Sequence, residues 1–184
     1  TAMTCMATNE PFYNDGAKLV FADVCKETGN ISLESIKKKT SPKTKCIVVV
    51  HWAGQPVEIK QIYEFASKKG IKVVSDAAHA IGAYHYDSKI GDCKYSDFTC
   101  FSFQAIKHLT TADGGAICCK NTKDADRVRK IRWFGLDRKF SERTGRSRWD
   151  QDITESGFKM HMNNLNAAIG IAQMDHIEDI IGKH

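Results

Sequence analysis

Proline, paired cysteines and long apolar stretches are all scarce in this sequence. Only three of the 184 residues are proline, and the seven cysteines include no CxxC pair. The cysteine pattern therefore predicts free thiols in a reducing cytoplasm, and neither a disulfide framework nor a metal site. No run approaches the roughly 18 apolar residues of a membrane span, and the first residues lack the charged and apolar regions of a signal peptide. We expect one globular domain with no membrane partner.

The charge balance is mildly basic. Lys and Arg number 27 and Asp and Glu 22, which gives a net charge of +5. Such a balance is not the composition of a nucleic-acid-binding arm, and we expect no nucleic-acid partner. Nine of the basic residues fall within residues 127–148. Two interpretations of this basic segment remain open: a solvated helix face followed by a loop, or a surface close to a phosphate-rich ligand or partner.

Apolar runs alternate with amphipathic segments along the whole chain. The apolar runs predict strands at residues 18–23, 45–52, 72–75, 98–103 and 115–119. Apolar residues at helical spacing predict helices at residues 32–39, 57–69, 124–131 and 164–181. Strands with few polar residues, separated by helices, indicate a mainly parallel sheet covered on both faces. The predicted fold class is therefore α/β, a three-layer α/β/α architecture.

Polar residues follow three of the apolar runs, at residues 51–55, 76–79 and 102–107. Open parallel sheets bind ligands beyond the carboxyl ends of their strands, so we expect these residues to meet at one edge. Asp76 either caps the next turn or balances a cation, since a carboxylate at a buried strand end needs a partner. Lys107 is either a surface lysine or a nucleophile for a carbonyl group. His79 is either a structural histidine or part of the same pocket.

Five segments resemble one enzyme family in their order and spacing. VVSDAAHAIGA is followed about thirty residues later by SFQAIKHLTTADGGAI, and GAKLVFADV, HWAGQPVEI and GFKMHMNNLNAAIG occupy matching places. Together they resemble the DegT/DnrJ/StrS-type nucleotide-sugar aminotransferases, which are fold-type I enzymes dependent on pyridoxal 5'-phosphate (PLP). The resemblance covers the whole chain. It implies the large, PLP-binding domain of the aspartate aminotransferase-like fold.

The resemblance also implies a role for each motif residue. Lys107 would be the catalytic lysine that forms a Schiff base with PLP, and Asp76 would pair with the pyridinium nitrogen. His79 would lie close to the cofactor ring and its 3-hydroxyl, and Ser102 would bind the cofactor phosphate. Lys159 would reach the phosphate bound by the neighbouring subunit of a homodimer.

The sequence departs from the family pattern in two ways. Residues 112–115 read ADGG where the family has GEGG, and Cys5 stands where an aromatic residue often stacks on the ring. We further expect the family's phosphate-binding Gly-Thr loop upstream of Thr1 and its small domain downstream of His184. Residues 1–184 would thus be an incomplete large domain.

The resemblance implies a transaminase that takes an amino group from glutamate and passes it to a nucleotide-linked keto-sugar. A second possibility is a PLP-dependent sugar dehydratase, although such relatives replace the lysine by histidine, and here His108 only neighbours Lys107. A third is a truncated non-catalytic pseudoenzyme or regulatory relative.

Overall fold

The strands form where β-branched and apolar residues cluster. A computed structural model describes residues 1–147, 150, 153 and 155–183 of the chain. In chain order, the strands found there are β1 (Cys46–Val50), β2 (Lys72–Asp76), β3 (Tyr84–His85), β4 (Ser88–Lys89), β5 (Phe98–Ser102) and β6 (Gly115–Cys119). The four longer strands form one sheet in the order β1-β2-β5-β6, and β3 pairs with β4 in a small hairpin.

The main sheet is mainly parallel, as predicted. β1, β2 and β5 run parallel to one another, whereas β6 runs antiparallel to β5. The parallel strands therefore end at the same edge of the sheet, which is the edge where the sequence predicts a site. The α/β fold class is confirmed.

Helices cover this sheet and connect its strands. Within the described residues they are α1 (Met6–Asn14), α2 (Leu33–Lys39), α3 (Ile59–Ser67), α4 (Thr122–Ile131), α5 (Phe140–Thr144), α6 (Asn164–Met174) and α7 (Ile177–Gly182). The hydroxyl of Ser32 accepts a hydrogen bond from the Ser35 amide and so caps α2. A short 3₁₀ turn, Trp52–Gly54, follows β1.

The hydrophobic core lies between α3 and the first two strands of the sheet. Val49 of β1, Val73 of β2, and Ile62 and Ala66 of α3 are completely buried. Each buried valine or isoleucine stabilises the fold by roughly 1.5–3 kcal/mol. This packing fixes the ends of β1 and β2, from which the polar residues of the site extend.

Three expectations from the sequence were wrong or incomplete. Residues 18–23 form no strand; residues 17–22 instead line a pocket of about 480 Å³ together with the start of β1. The predicted helix at residues 164–181 is two helices, α6 and α7, which are interrupted at Asp175 and His176. Helix α1 and the β3–β4 hairpin were not predicted at all.

The basic segment is largely engaged in local contacts. Arg127 pairs with Glu155, Arg129 pairs with Asp126, and Asp137 forms ion pairs with both Lys130 and Arg143. The guanidinium of Arg138 lies over the ring of Trp133. For these residues the structure favours a solvated, ion-paired surface. Arg148, the last cation of the segment, lies outside the described residues.

No helix in the described part of the chain is both long and apolar enough to cross a membrane.

Candidate active site

The sheet places Asp76 and Ser102 at its carboxyl edge. Asp76 is the last residue of β2, in register with Val50 of β1 and Cys100 of β5. Ser102 is the last residue of β5 and pairs with Gly115 of β6. The two polar side chains that the sequence assigned to strand ends therefore do follow adjacent strands.

Both carboxylate oxygens of Asp76 accept a hydrogen bond. The amide of Ala78 donates to Oδ1 at 3.0 Å, and the hydroxyl of Thr8 donates to Oδ2 at 2.5 Å. Among the residues that the structure describes, Asp76 takes part in no ion pair. The capping role considered from the sequence is thus real, but it leaves this half-buried carboxylate without a cation of its own.

Thr8 is a site residue that sequence reasoning missed. It belongs to α1 and is only 6% exposed. Its partner Asp76 is 68 positions away in the sequence, so no local sequence pattern predicts the contact. The available signal was weak: Thr4 and Thr8 are spaced four residues apart, which can place two hydroxyls on one side of a helical segment.

The ring of His79 lies within electrostatic reach of both Asp76 and Lys107. Partial burial of the His79 ring lowers its pKa below the ordinary value; the charge of Lys107 lowers the pKa further, and Asp76 acts in the opposite direction. His79 thus feels a carboxylate from the end of β2 and an amine from the loop after β5. An imidazole, a carboxylate and an amine are the side chains that enzymes use for proton transfer.

Backbone hydrogen bonds close the base of the loop that carries Lys107. Phe103 donates to the carbonyl of Gly114 at 2.9 Å, and Thr111 donates to the carbonyl of Phe103 at 2.8 Å. A Cβ on Gly115 would come within 2.5 Å of the Phe101 carbonyl oxygen, so this position requires glycine. The half-buried Lys107 is thus held on a short loop that begins and ends at the β5–β6 pair.

Ser102 lies at the entrance of the same loop. Its hydroxyl accepts a hydrogen bond from the Gln104 amide at 3.3 Å. A serine hydroxyl is both an acceptor and a donor, and within the described part of the chain its hydrogen meets no acceptor, so it can serve a ligand.

The loop after β1 packs against His79. Gly54 has a φ of +87°, and a Cβ there would lie 2.8 Å from the His79 carbonyl oxygen. Asn30 holds this loop: its side chain accepts from the Trp52 amide and donates to the carbonyls of Gln55 and Pro56. A pocket of about 360 Å³, lined in part by Gly54 and His79, opens beside it.

Lys159 belongs to the segment between α5 and α6. It is exposed and forms an isolated antiparallel bridge with Trp133, just after α4. The hydrogen bonds and ion pairs of the described chain do not link Lys159 to Asp76, His79, Ser102 or Lys107. Its predicted role depends on a second subunit.

Family comparison agrees with this geometry. Residues 1–184 match the DegT/DnrJ/EryC1/StrS aminotransferase family, and the chain belongs to that family. The resemblance seen in its motifs is thereby confirmed.

Individual relatives are similar over nearly the whole chain. The uncharacterized protein MJ1066 of Methanocaldococcus jannaschii is 37% identical over 179 residues, which are 97% of this chain and 46% of that protein. The sugar aminotransferase CalS13 of Micromonospora echinospora is 31% identical, with a TM-score of 0.88 over 97% of this chain and 48% of that one. The PLP form of Spr1654 of Streptococcus pneumoniae is 27% identical, with a TM-score of 0.83 over the same shares of the two chains. This chain thus spans about half the length of the relatives it matches.

Proposed function

We propose that the protein containing this chain is a PLP-dependent aminotransferase that moves an amino group from glutamate to a nucleotide-linked keto-sugar. The observation that carries the proposal is that the ring of His79 lies within electrostatic reach of both Lys107 and Asp76, which ends β2 at the carboxyl edge of the sheet. Membership of an aminotransferase family supports the reaction class. The likeness to CalS13, a sugar aminotransferase, supports a sugar acceptor.

The residues present fit PLP. Asp76 is half-buried, hydrogen-bonded to neutral donors and not engaged in an ion pair among the described residues. A protonated ring nitrogen would supply the missing cation. Within the described residues the hydroxyl hydrogen of Ser102 meets no acceptor, so it could serve a phosphate oxygen, and Lys107 is the amine whose charge, like that of Asp76, acts on His79. The PLP form of Spr1654 shows that a related structure holds this cofactor.

Each residue would have a distinct task. When bound, PLP supplies an electron sink for the carbon from which a proton is removed. Asp76 would hold the proton on the ring nitrogen through its negative charge. The Lys107 amine would attach the cofactor and then carry protons as a general acid and base. His79 would lie against the ring, and Ser102 would orient the phosphate.

We propose further that the protein acts in the cytoplasm as a homodimer in which Lys159 reaches the phosphate bound by the partner. Lys159 is exposed, and no hydrogen bond or ion pair of the described residues joins it to Lys107. Large apolar side chains next to these two lysines in sequence, and on α6, are also exposed, as expected for residues that a second copy covers: Ile106, Met160, Leu165 and Ile171. In this proposal residues 1–184 are an incomplete large domain, completed by the rest of the protein.

The test uses the full-length protein that contains this chain. The purified protein is loaded with PLP, reduced with borohydride and digested, and the modified peptide is identified by mass spectrometry. We expect the adduct on Lys107. Lys107→Ala should abolish the adduct, whereas Lys89→Ala, which changes an exposed lysine of the hairpin, should not. An adduct on another lysine would contradict the site assignment.

A second measurement addresses the reaction. With ¹⁵N-labelled glutamate and a nucleotide-linked keto-sugar, we expect the label in an aminated sugar product. A product that has lost water and carries no label would identify a dehydratase instead. Absence of PLP binding by the full-length wild type would support the non-catalytic alternative.

A further inference from the structure

A chain of hydroxyl groups runs from the start of the polypeptide to Asp76. The Thr8 hydroxyl donates to Asp76 Oδ2 at 2.5 Å, and Thr4 Oγ1 lies 2.7 Å from Thr8 Oγ1. The three residues are Thr4, just before α1, Thr8 within it, and Asp76 at the end of β2. The segment of Thr4 and Thr8, which is remote from Asp76 in sequence, is therefore hydrogen-bonded to the carboxylate on which the proposed chemistry depends.

Counting the hydroxyl hydrogens shows which group donates in each of these hydrogen bonds. A threonine hydroxyl has one hydrogen to donate. The carboxylate can only accept, so the Thr8 hydrogen is used toward Asp76. The hydrogen between the two threonines must then come from Thr4, which donates to Thr8. All donors thus point toward Asp76.

The burial of Thr8 within α1 indicates that its hydroxyl has a specific role. It is the buried residue of that helix, while most of the others are exposed. A helix that packs through a broad apolar face would bury several apolar side chains. Here a single polar side chain is buried and donates to a carboxylate.

The two hydrogen bonds to Asp76 act on different oxygens. Ala78 donates to Oδ1 from the residues that follow β2, and Thr8 donates to Oδ2 from α1. Together they fix the rotation of the carboxylate about its Cβ–Cγ bond. Without Thr8, one oxygen would lose its donor, and the carboxylate plane could turn.

We propose that Thr8, oriented by Thr4, is a positioning residue that holds the Asp76 carboxylate toward the cofactor ring nitrogen. This inference rests on the proposed function. It assigns to α1 a role in PLP affinity as well as in rate, because a misoriented carboxylate binds the ring less well even before any substrate is present.

The experiment is a double-mutant cycle in the full-length protein, with PLP affinity of the apoprotein as its main readout. The variants are Thr8→Val, Asp76→Asn and their combination, with Thr8→Ser and Thr122→Val as controls. Thr8→Val keeps the shape and removes the hydroxyl, Thr8→Ser keeps the hydroxyl, and Thr122 is exposed at the start of α4. PLP binding is followed by fluorescence quenching, and the rate constant kcat is measured in parallel.

We expect Thr8→Val to weaken PLP binding by about tenfold, Thr8→Ser to restore it to within about threefold, and Thr122→Val to leave it unchanged. In the Asp76→Asn background, Thr8→Val should have little further effect, because its partner carboxylate is already gone. A loss of the same size in both backgrounds would show a merely structural role and overturn the inference.

The outcomes also separate this inference from the proposed function. If the wild type binds PLP and Thr8→Val binds it equally well, only the role of Thr8 is overturned. If the full-length wild type binds no PLP, both proposals fail together.

Discussion

His51 and His79 both follow apolar strands, yet their surroundings give them different properties. His51 is 1% exposed; its Nδ1 accepts from the Val57 amide, and its Nε2 lies 2.6 Å from the Ser75 hydroxyl. Because Nδ1 is an acceptor, the ring is neutral and its hydrogen is on Nε2. His51 is therefore structural, whereas the residue His79 is largely exposed, its ring is only partly buried, and the charges of Lys107 and Asp76 act on it.

The burial of His51 predicts a pH-dependent stability. Desolvation lowers its pKa to about 4, although the charge of Asp76 acts in the opposite direction. Between pH 6.5 and 4 the unfolded state binds a proton that the folded state does not, so stability falls as the pH falls through this window. We expect the loss to approach roughly 3 kcal/mol, measured by urea unfolding of the full-length protein with tryptophan fluorescence.

The matching variant is His51→Gln, which cannot titrate in this range. We expect it to be less stable than the wild type at pH 7, because the contacts with Val57 and Ser75 are disturbed. Its stability should, however, change less between pH 6.5 and 4. An unchanged slope would show that other groups cause the pH dependence.

Asp76 is predicted to act through its charge. Asp76→Asn retains an acceptor oxygen for Thr8 or Ala78 but cannot hold the proton on the ring nitrogen. We expect the full-length protein to fold normally and to lose far more than tenfold in kcat/KM, where tenfold corresponds to about 1.4 kcal/mol. Asp87→Asn, at an exposed carboxylate of the hairpin region, is the control. A loss below tenfold would reject this role.

At the scale of elements, helix α6 braces the turn that follows Lys107. The side chain of Gln173 accepts from the Thr110 amide at 3.0 Å and donates to the Thr110 carbonyl at 2.7 Å. Asn166, near the start of the same helix, donates to the Asp113 carbonyl at 2.9 Å. The ADGG departure from the family pattern thus lies in a turn held from outside by helix side chains.

This bracing predicts the effect of removing Gln173. Gln173→Leu would leave the part-buried donor and acceptor of Thr110 without their partner, at an expected cost of about 1–3 kcal/mol. Hydrogen exchange should accelerate at the Thr110 amide and in the Lys107 loop. Gln61→Leu, an exposed position on α3, is the matched control. Equal exchange in both variants would contradict a bracing role for α6.

Local patterns predicted the elements whose partners lie within the chain. β1, β2 and β5 were found because each is a short apolar run next to another one, and α3 because Ile59, Ile62 and Ala66 share one face. Residues 18–23 have the same composition but border a pocket instead of a strand. A strand needs a hydrogen-bonded neighbour, which composition cannot supply.

For the candidate site, too, the sequence predicts the residues that follow local patterns and misses those whose partners are distant in sequence. Asp76 and Ser102 could be predicted because strand ends of a parallel sheet share an edge. Lys107 and His79 were assigned by resemblance, and in the structure the charges of Lys107 and Asp76 both act on the ring of His79. Thr8 could not be predicted, because its hydrogen bond joins residues 68 positions apart. Contacts of that kind follow from the packing of whole elements.

At the scale of the whole molecule, the remaining prediction concerns a site shared between subunits. If Lys159 serves the partner's site, a mixed dimer of Lys107→Ala and Lys159→Ala chains has one site with both defects and one with neither. Random exchange of equal amounts should therefore restore roughly a quarter of wild-type activity. The measurement is the transaminase rate before and after subunit exchange of the two inactive full-length variants.

Mixing Lys107→Ala with Asp76→Asn is the control that separates shared from unshared residues. Both residues belong to the same site of the same chain, so each site in that mixed dimer keeps one defect and activity should not return. Recovery in the first mixture alone places Lys159 across the interface. If exchange is verified and neither mixture recovers, Lys159 serves its own subunit or no site at all, and its exposed position beside Trp133 would need another explanation.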